Sequence, residues 1–452
     1  MLKLEDIELL YKQLLELLAN GRIRELKYEL NELNSFDAAE FFELIPDDKK
    51  LYVFRLMTKD NAAEAFSYMD SDVQEHIIKS ISDSELRYIV DEMYIDDTVD
   101  LLAELPANLV TRVLKNADET KRKLINQFLN YPETSAGSIM TIEFVQFHEE
   151  MTVKRAMEQL RATGVDKETI YSCYVVNSKR ILIGILPLRR LILANDDEIV
   201  KNLMEDRVIS VKTMDDQEEI AEIFKDYNLI SLPVVDNEGR LVGIITVDDI
   251  MDVIDQETTE DFEKMAALLP SEDEYLKTSI FTLTKNRIMW LMVLMISGTI
   301  SALIITKYQH VITTVVALSS YMTILTGTGG NSGSQASTLI IRGMALGEIE
   351  MKDILSVIWK EFRVGLLCGL LLGGVNFVRL LIFDNVSLAV NFAVSITMAV
   401  VVVVAKVIGC TLPIIAKRIG FDPAIMAGPL ITTVVDAISL LIYFNIASML
   451  LL

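Results

Sequence analysis

The sequence predicts a multidomain chain, α plus α/β plus membrane, that joins an α-helical solenoid, a tandem α/β pair, a connector helix and a five-span α-helical membrane body. Three observations predict it. Charge is split along the chain: residues 1–284 hold 31 basic and 58 acidic side chains and the rest hold 11 and 7, so −27 and +4 make up the net −23. The long apolar segments all lie after Arg287. Between residues 138 and 251 the sequence repeats itself once. With 51% hydrophobic residues beside 24% charged ones, the composition excludes an ordinary soluble enzyme.

The opening MLKLEDIELLYKQLLELL reads as an acid-bearing amphipathic helix rather than a signal peptide, because no apolar core follows a basic head. Over residues 1–130, breaker-and-acid clusters recur every 10 to 14 residues: NSFD (34–37), IPDD (45–48), TKD (58–60), MDSD (69–72), SISD (80–83), YIDD (94–97), LPAN (105–108) and NADE (116–119). Their Ser, Thr and Asp residues suit helix N-caps. Short helices in such a series stack into a solenoid, since none buries a core alone. Cys173, Cys368 and Cys410 are far apart, with no CxxC. They read as unpaired packing residues of a protein whose N-terminal body faces a reducing cytoplasm.

The internal repeat is direct. YVVNSKRILIGILPLRRLI (174–192) aligns with PVVDNEGRLVGIITVDDIM (233–251) at an offset of 59, so that Val175, Val176, Leu182 and Gly184 fall on Val234, Val235, Leu241 and Gly243. Upstream, SIMTIEFVQFHEEMTVKRAMEQL parallels NLMEDRVISVKTMDDQEEIAEIF at an offset of 64. The first copy is therefore longer by five residues, near GVDKETI. Each copy reads strand, helix, strand, strand, helix. The pair resembles tandem CBS domains, at 131–200 and 201–256, a module that often binds adenine nucleotides and regulates a neighbouring domain. An acidic, helix-prone connector over 257–286 then leads to the first apolar segment.

Five spans are expected: Ile288–Ile305, Val311–Ile341 with a Gly-rich interruption, Val364–Phe383, Leu388–Ala416 and Ala424–Leu452. Each reaches the roughly 20 residues needed to cross a bilayer. Lys285, Arg287, Arg342, Lys352, Lys360, Arg363, Lys417 and Arg418 fall in alternate loops, which sets the N-terminal body in the cytoplasm and the C-terminus outside.

One carboxylate, Asp436, stands in the last span, where it costs at least ~2.5–3.5 kcal/mol on insertion scales. At 100° per residue it shares a small-and-polar stripe with Gly428, Thr432, Ser439 and Tyr443, away from Leu430, Val434, Ala437 and Leu441. It is either a buried structural acid or an oxygen ligand on a cation path. In the second span, ILTGTGGNSGSQAS carries four glycines within Gly327–Gly333 beside Asn331 and Gln335. That stretch either breaks the helix and frees carbonyls for a pore or packs helices closely. Lys406 reads as a snorkelling or paired residue.

The order of parts resembles the MgtE magnesium channel/transporter family. The likeness rests on the bridge YPETSAGSIM (131–140), Gly329, Gly330, Asn331, Gly333, Gln335, FDPA (421–424), Gly428-Pro429, Asp436, LLIYF (440–444), QEE (217–219) and LPVVDNEGRLVGIITVDD (232–249). It covers nearly the whole chain. The family pattern commonly has Gly where Ser439 stands and Phe where Leu430 stands; neither change removes an oxygen ligand.

The resemblance implies a homodimer in lipid, at the bacterial inner membrane, with Asp436 and Asn331 at the pore and Mg2+ as both substrate and regulator. It implies regulatory ligands at Asp96, Asp100, Asp216, Glu218, Asp249, Asp252, Glu257, Glu260 and Asp261, and it leaves room for ATP in the CBS pair. No nucleic acid is expected as a partner. Neither GxxxxGK nor HExxH occurs, and no His or Cys constellation suits an intramembrane enzyme. Transport of Mn2+, Co2+ or Ca2+, or a non-conducting membrane-anchored Mg2+ sensor, are the alternatives.

Overall fold

Helix caps punctuate the N-terminal body. The computed structural model describes residues 4–271, 275–276, 278–384 and 386–452, in two units divided after Ile254. The first unit starts with ten helices: α1 (Leu4–Ala19), α2 (Ile23–Glu32), α3 (Ser35–Glu43), α4 (Asp47–Phe54), α5 (Lys59–Ser67), α6 (Ser71–Ser80), α7 (Asp83–Glu92), α8 (Ile95–Glu104), α9 (Ala107–Asn116) and α10 (Glu119–Phe128). Asn34, Thr58, Ser82 and Asp118, all in the expected clusters, accept hydrogen bonds from the first-turn amides of α3, α5, α7 and α10. Ser82 and Glu85 form a reciprocal capping box. Alternate helices then stack, α3 on α5, α5 on α7 and α7 on α9. Their shared core includes Phe41, Phe42, Val53, Phe66, Ile77, Val90 and Val113.

The repeat pair follows: β1 (Phe144–His148), α11 (Val153–Thr163), β2 (Thr169–Val176), β3 (Leu182–Pro187), α12 (Leu188–Leu193), a short α13 (Val200–Leu203), β4 (Val211–Lys212), α14 (Gln217–Tyr227), β5 (Ser231–Val235), β6 (Leu241–Thr246) and α15 (Val247–Met265). The offset of 59 is visible in the register: Val175 pairs with Gly184 as Val234 pairs with Gly243, and Val176 with Leu182 as Val235 with Leu241. The five extra residues of the first copy make a 3-10 turn at Gly164–Asp166 and lengthen β2.

Each copy also finishes the other. Glu205, just before β4, exchanges both backbone hydrogen bonds with Ile185 of β3, at 2.8 and 3.0 Å, and Thr141, just before β1, does the same with Ile244 of β6, at 2.8 and 2.9 Å. Met204 crowds Gly184 and Met140 crowds Gly243, so that a Cβ at either glycine would lie 2.5 or 2.8 Å from sulfur.

Two expectations about the connector and second span are corrected. The connector does not run as one helix over 257–286. α15 begins inside the second repeat and ends at Met265, where Ala267 takes a positive φ of 56° and Pro270 follows; residues 272–274 and 277 of that stretch lie outside the described residues. The glycines of the second span do not interrupt it. α18 (Met322–Ala345) is continuous through all of them, and the break comes earlier, between α17 (Gln309–Thr314) and a 3-10 segment at Val316–Tyr321. The glycines stay helical because their bare faces are contact surfaces: a Cβ on Gly329, Gly330 or Gly333 would lie 2.7–2.9 Å from Ser439, Thr432 or Ile431 of the last helix.

The membrane body consists of α16 (Ile280–Lys307), α18, α19 (Ile354–Phe383), α20 (Leu388–Arg418) and α21 (Gly428–Leu451). Among the described residues four helical segments are long and apolar enough to cross a bilayer, those of α16, α19, α20 and α21. α18, with 24 residues, is not among these four. α20 is packed by α18, α19 and α21. Gly365, Gly369 and Gly373, one per turn of α19, let its backbone approach Val403, Ala399 and Ser395 of α20. Lys406 of α20 is buried, with Nζ 4.0 Å from Glu361 of α19, which settles it as paired. Cys173, Cys368 and Cys410 are free thiols.

Candidate functional site

Three groups of polar residues merit a functional reading. The first lies within the membrane body. Asp436 is half-buried on α21, and its Oδ1 is buried with no hydrogen-bond partner among the described residues. Its neighbours are committed elsewhere. Thr432 and Thr433 donate to the carbonyls of Gly428 and Pro429 at 3.0 and 2.9 Å, and Tyr443 donates to Leu318 O at 2.9 Å. Of the stripe, Ser439 and Tyr443 are buried, whereas Gly428, Thr432 and Asp436 are part-exposed. A buried carboxylate oxygen without a donor among the described residues is free to meet a cation, a water or a proton. Asn331 is placed on the open side of α18, where Thr323, Gly327, Asn331, Gln335 and Thr338 are exposed. That side of α18 is polar and, among the described residues, uncovered.

The second group is a cleft of about 650 Å3 between the solenoid and the second repeat. It gathers Asp96, Asp97 and Asp100 of α8, Glu168 at the head of β2, and Asp248, Asp249 and Asp252 of α15. Burial and mutual repulsion raise the pKa values of five of these: Asp97 and Asp249 to about 6, Asp100 and Glu168 to about 7, and Asp96 well above the ordinary carboxylate range. Asp96 Oδ1 and Glu168 Oε2 are buried without partners among the described residues. Such a bowl fits cations. Among the described residues no three such side chains are close enough together to hold a metal ion directly.

The third group lies at the end of α15 in the second unit. Lys264 bridges Glu260 and Asp422, each at 2.6 Å, with Asp261 beside them. Burial pulls the Lys264 ammonium down, and the Asp422 and Glu260 carboxylates outweigh it, so its pKa is raised. Asp261 is raised by burial and by Asp422. Met265 O packs against Gly428, so that a Cβ there would come within 2.6 Å. This sets the end of α15 at the start of the helix that carries Asp436.

Of the acids singled out in the sequence, Asp96, Asp100, Asp249 and Asp252 meet in the cleft, and Glu260 and Asp261 meet at Lys264. Glu257 is one turn earlier, close enough to raise Asp261. Asp216 and Glu218 are elsewhere: Asp216 caps α14 by accepting from the Glu218 amide at 2.9 Å, beside the bridge at Ser135. Sequence reasoning missed Glu168, Asp97, Asp248 and Asp422. Asp422 stood in the quoted FDPA, but nothing local marks Glu168, which is brought in by the inserted turn of the first repeat.

A buried carboxylate oxygen in a helical region of long apolar helices, joined through one helix to a repeat pair and a helical solenoid, fits the class of membrane transport proteins. The chain belongs to the MgtE family. Family models match as MgtE, divalent cation transporter, over residues 322–446, as the MgtE intracellular N domain over 33–134, and as CBS domains over 136–197 and 200–256. The chain is similar to the magnesium transporter MgtE of Thermus thermophilus, 37% identical across 98% of this chain and 99% of the relative. It is also similar to the magnesium transporter MgtE of Bacillus subtilis, 33% identical across 96% and 95%. Among solved structures, the soluble part of a magnesium transporter matches with a TM-score of 0.53 at 32% identity, over 56% of this chain and 99% of that one. The cytosolic domain of the Mg2+ channel MgtE in complex with ATP matches with a TM-score of 0.51 at 37% identity, over 54% and 99%.

Proposed function

We propose that the protein conducts Mg2+ into the cell down its electrochemical gradient and is closed by cytoplasmic Mg2+. The observation that carries the reading is the buried Oδ1 of Asp436, to which none of the described residues donates a hydrogen bond. Two copies related by a two-fold axis would set two such carboxylates about one path and cover the polar side of α18. Mg2+ sheds water reluctantly, so the acids hold the ion through its waters. Entry is electrically downhill by roughly 4.6 kcal/mol per 100 mV for a divalent ion, twice the value per charge. No chemical turnover is assigned. Positive loops favour a cytoplasmic N-terminal body and an outward C-terminus.

Regulation is supported by α15, whose first turns supply Asp248, Asp249 and Asp252 and whose last turns supply Glu260, Asp261 and Lys264. Cations that draw the cleft acids together would load one end of a helix whose other end abuts Gly428. A nucleotide is a further regulator in this reading. The related cytosolic domain was solved with ATP, and a cleft of about 220 Å3 lies between the two repeats here, lined by Ile181, Ile183, Asp206, Ser210, Val235 and Gly239.

The deciding experiment is Mg2+ flux into proteoliposomes at varied internal Mg2+. Flux that falls as internal Mg2+ rises supports both parts, unchanged flux removes the regulation, and no flux removes the transport. Competition by Mn2+, Co2+ and Ca2+ fixes the ion.

A further inference from the structure

The first turns of α19 carry an aromatic and cationic group that the ion path does not use. Trp359 and Phe362 stack with ring centres 5.7 Å apart and planes 11° from parallel. The Arg363 guanidinium lies 5.7 Å from the centre of the Trp359 ring, and its Nε donates to Trp359 O at 3.3 Å. Trp359, Lys360, Phe362 and Arg363 are all exposed. Among the described residues neither Lys360 nor Arg363 is ion-paired, because the acid between them, Glu361, turns inward to Lys406. Beyond this group the exposed positions of the same helix are hydrocarbon: Leu366, Leu367, Leu370, Leu371 and Val375. An aromatic pair at the end of an apolar face marks the boundary of a bilayer.

We propose that Trp359, Lys360 and Arg363 form a headgroup site for an anionic phospholipid of the surrounding membrane. Cation–π attraction keeps the guanidinium near the Trp359 ring, and a guanidinium presents a fork of donors that matches a phosphate. Lys360, next in sequence to Trp359, adds a second charge that no described acid pairs with. The acyl chains lie along Leu366 and Leu370. Anionic lipid is favoured over zwitterionic lipid because each basic side chain at such a surface contributes about 1 kcal/mol, roughly fivefold. The membrane is thereby attached to α19, the helix whose glycines grip α20.

The test uses the full chain with Trp290→Phe, which leaves Trp359 as the only tryptophan of the two. It is reconstituted into phosphatidylcholine vesicles containing a small fixed fraction of either brominated phosphatidylglycerol or brominated phosphatidylcholine. The expected result is several-fold stronger quenching of Trp359 by the brominated anionic lipid. Lys360→Gln with Arg363→Gln should reduce that preference to parity while leaving quenching by brominated phosphatidylcholine unchanged, which shows that the helix still meets lipid. Equal quenching by both lipids in the parent overturns the proposal. So does quenching by neither, which would place a second copy of the chain, rather than lipid, over this face.

Discussion

Lys264 Nζ stands 2.6 Å from Asp422 Oδ2, joining the last turn of α15 to the loop that precedes α21. The pair is partly buried, with side-chain exposures of 21% and 30%, and Lys264 also neutralises Glu260. Lys264→Gln removes the cation that Glu260 and Asp422 share. We expect the variant to conduct at low internal Mg2+ more freely than the parent and to need more Mg2+ to close. Flux titrations against internal Mg2+ check this; an unchanged midpoint would make the pair incidental to gating.

The cleft acids give a pH dependence with a definite sign. Asp97 and Asp249 near 6 and Asp100 and Glu168 near 7 lie above their ordinary values. Their protonation therefore stabilises the assembled cleft fully below about pH 4, and that contribution is lost as pH rises through 6 to 7. In chelator, backbone amides of α8 should be well protected from hydrogen exchange at pH 5 and poorly protected at pH 8. Mg2+ added at pH 8 should restore the protection. Protection that does not change with pH in chelator would show that these acids do not govern the junction.

Asp436→Ala and Asp436→Asn should both abolish Mg2+ flux without unfolding the protein, since neither adds bulk and no described residue donates a hydrogen bond to Oδ1. Parent-level flux from either variant would remove Asp436 from the ion path.

Two glycines of α18 separate packing from propensity. A Cβ on Gly333 would lie 2.9 Å from Ile431 Cγ2, whereas one on Gly327 meets nothing within 4 Å. Gly333→Ala should lower stability in detergent by about 1–3 kcal/mol through overpacking. Gly327→Ala should leave it unchanged or raise it by up to about 1 kcal/mol through helix propensity. Thermal unfolding of the two variants side by side checks the contrast.

Much of the fold is legible in local signals. Caps at Asn34, Thr58, Ser82 and Asp118 announce the solenoid helices, and a constant offset places Gly184 and Gly243 at equivalent rungs. Asp436 declares itself by being an acid among apolar residues. The state of Gly327–Gly333 was not legible, because helix propensity counts what glycine lacks and not what a neighbour gains by approaching it. Only the positions of Ser439, Thr432 and Ile431 decide the matter. The cleft was half legible: acids on α8 and α15 are visible in the sequence, but Glu168 joins them through an insertion whose path no local pattern encodes.

The exchange at Thr141–Ile244 and Glu205–Ile185 has a bearing on how such a chain arises and breaks. An exposed strand edge invites pairing with another chain, and each repeat here has its outer edge sealed by the strap that leads into its sibling. A single repeat excised from the chain would be an open tile, and two such tiles would seal each other by reciprocal swapping. The tandem is in effect that swapped pair made permanent by one covalent link, so neither half can loosen without unsealing the other.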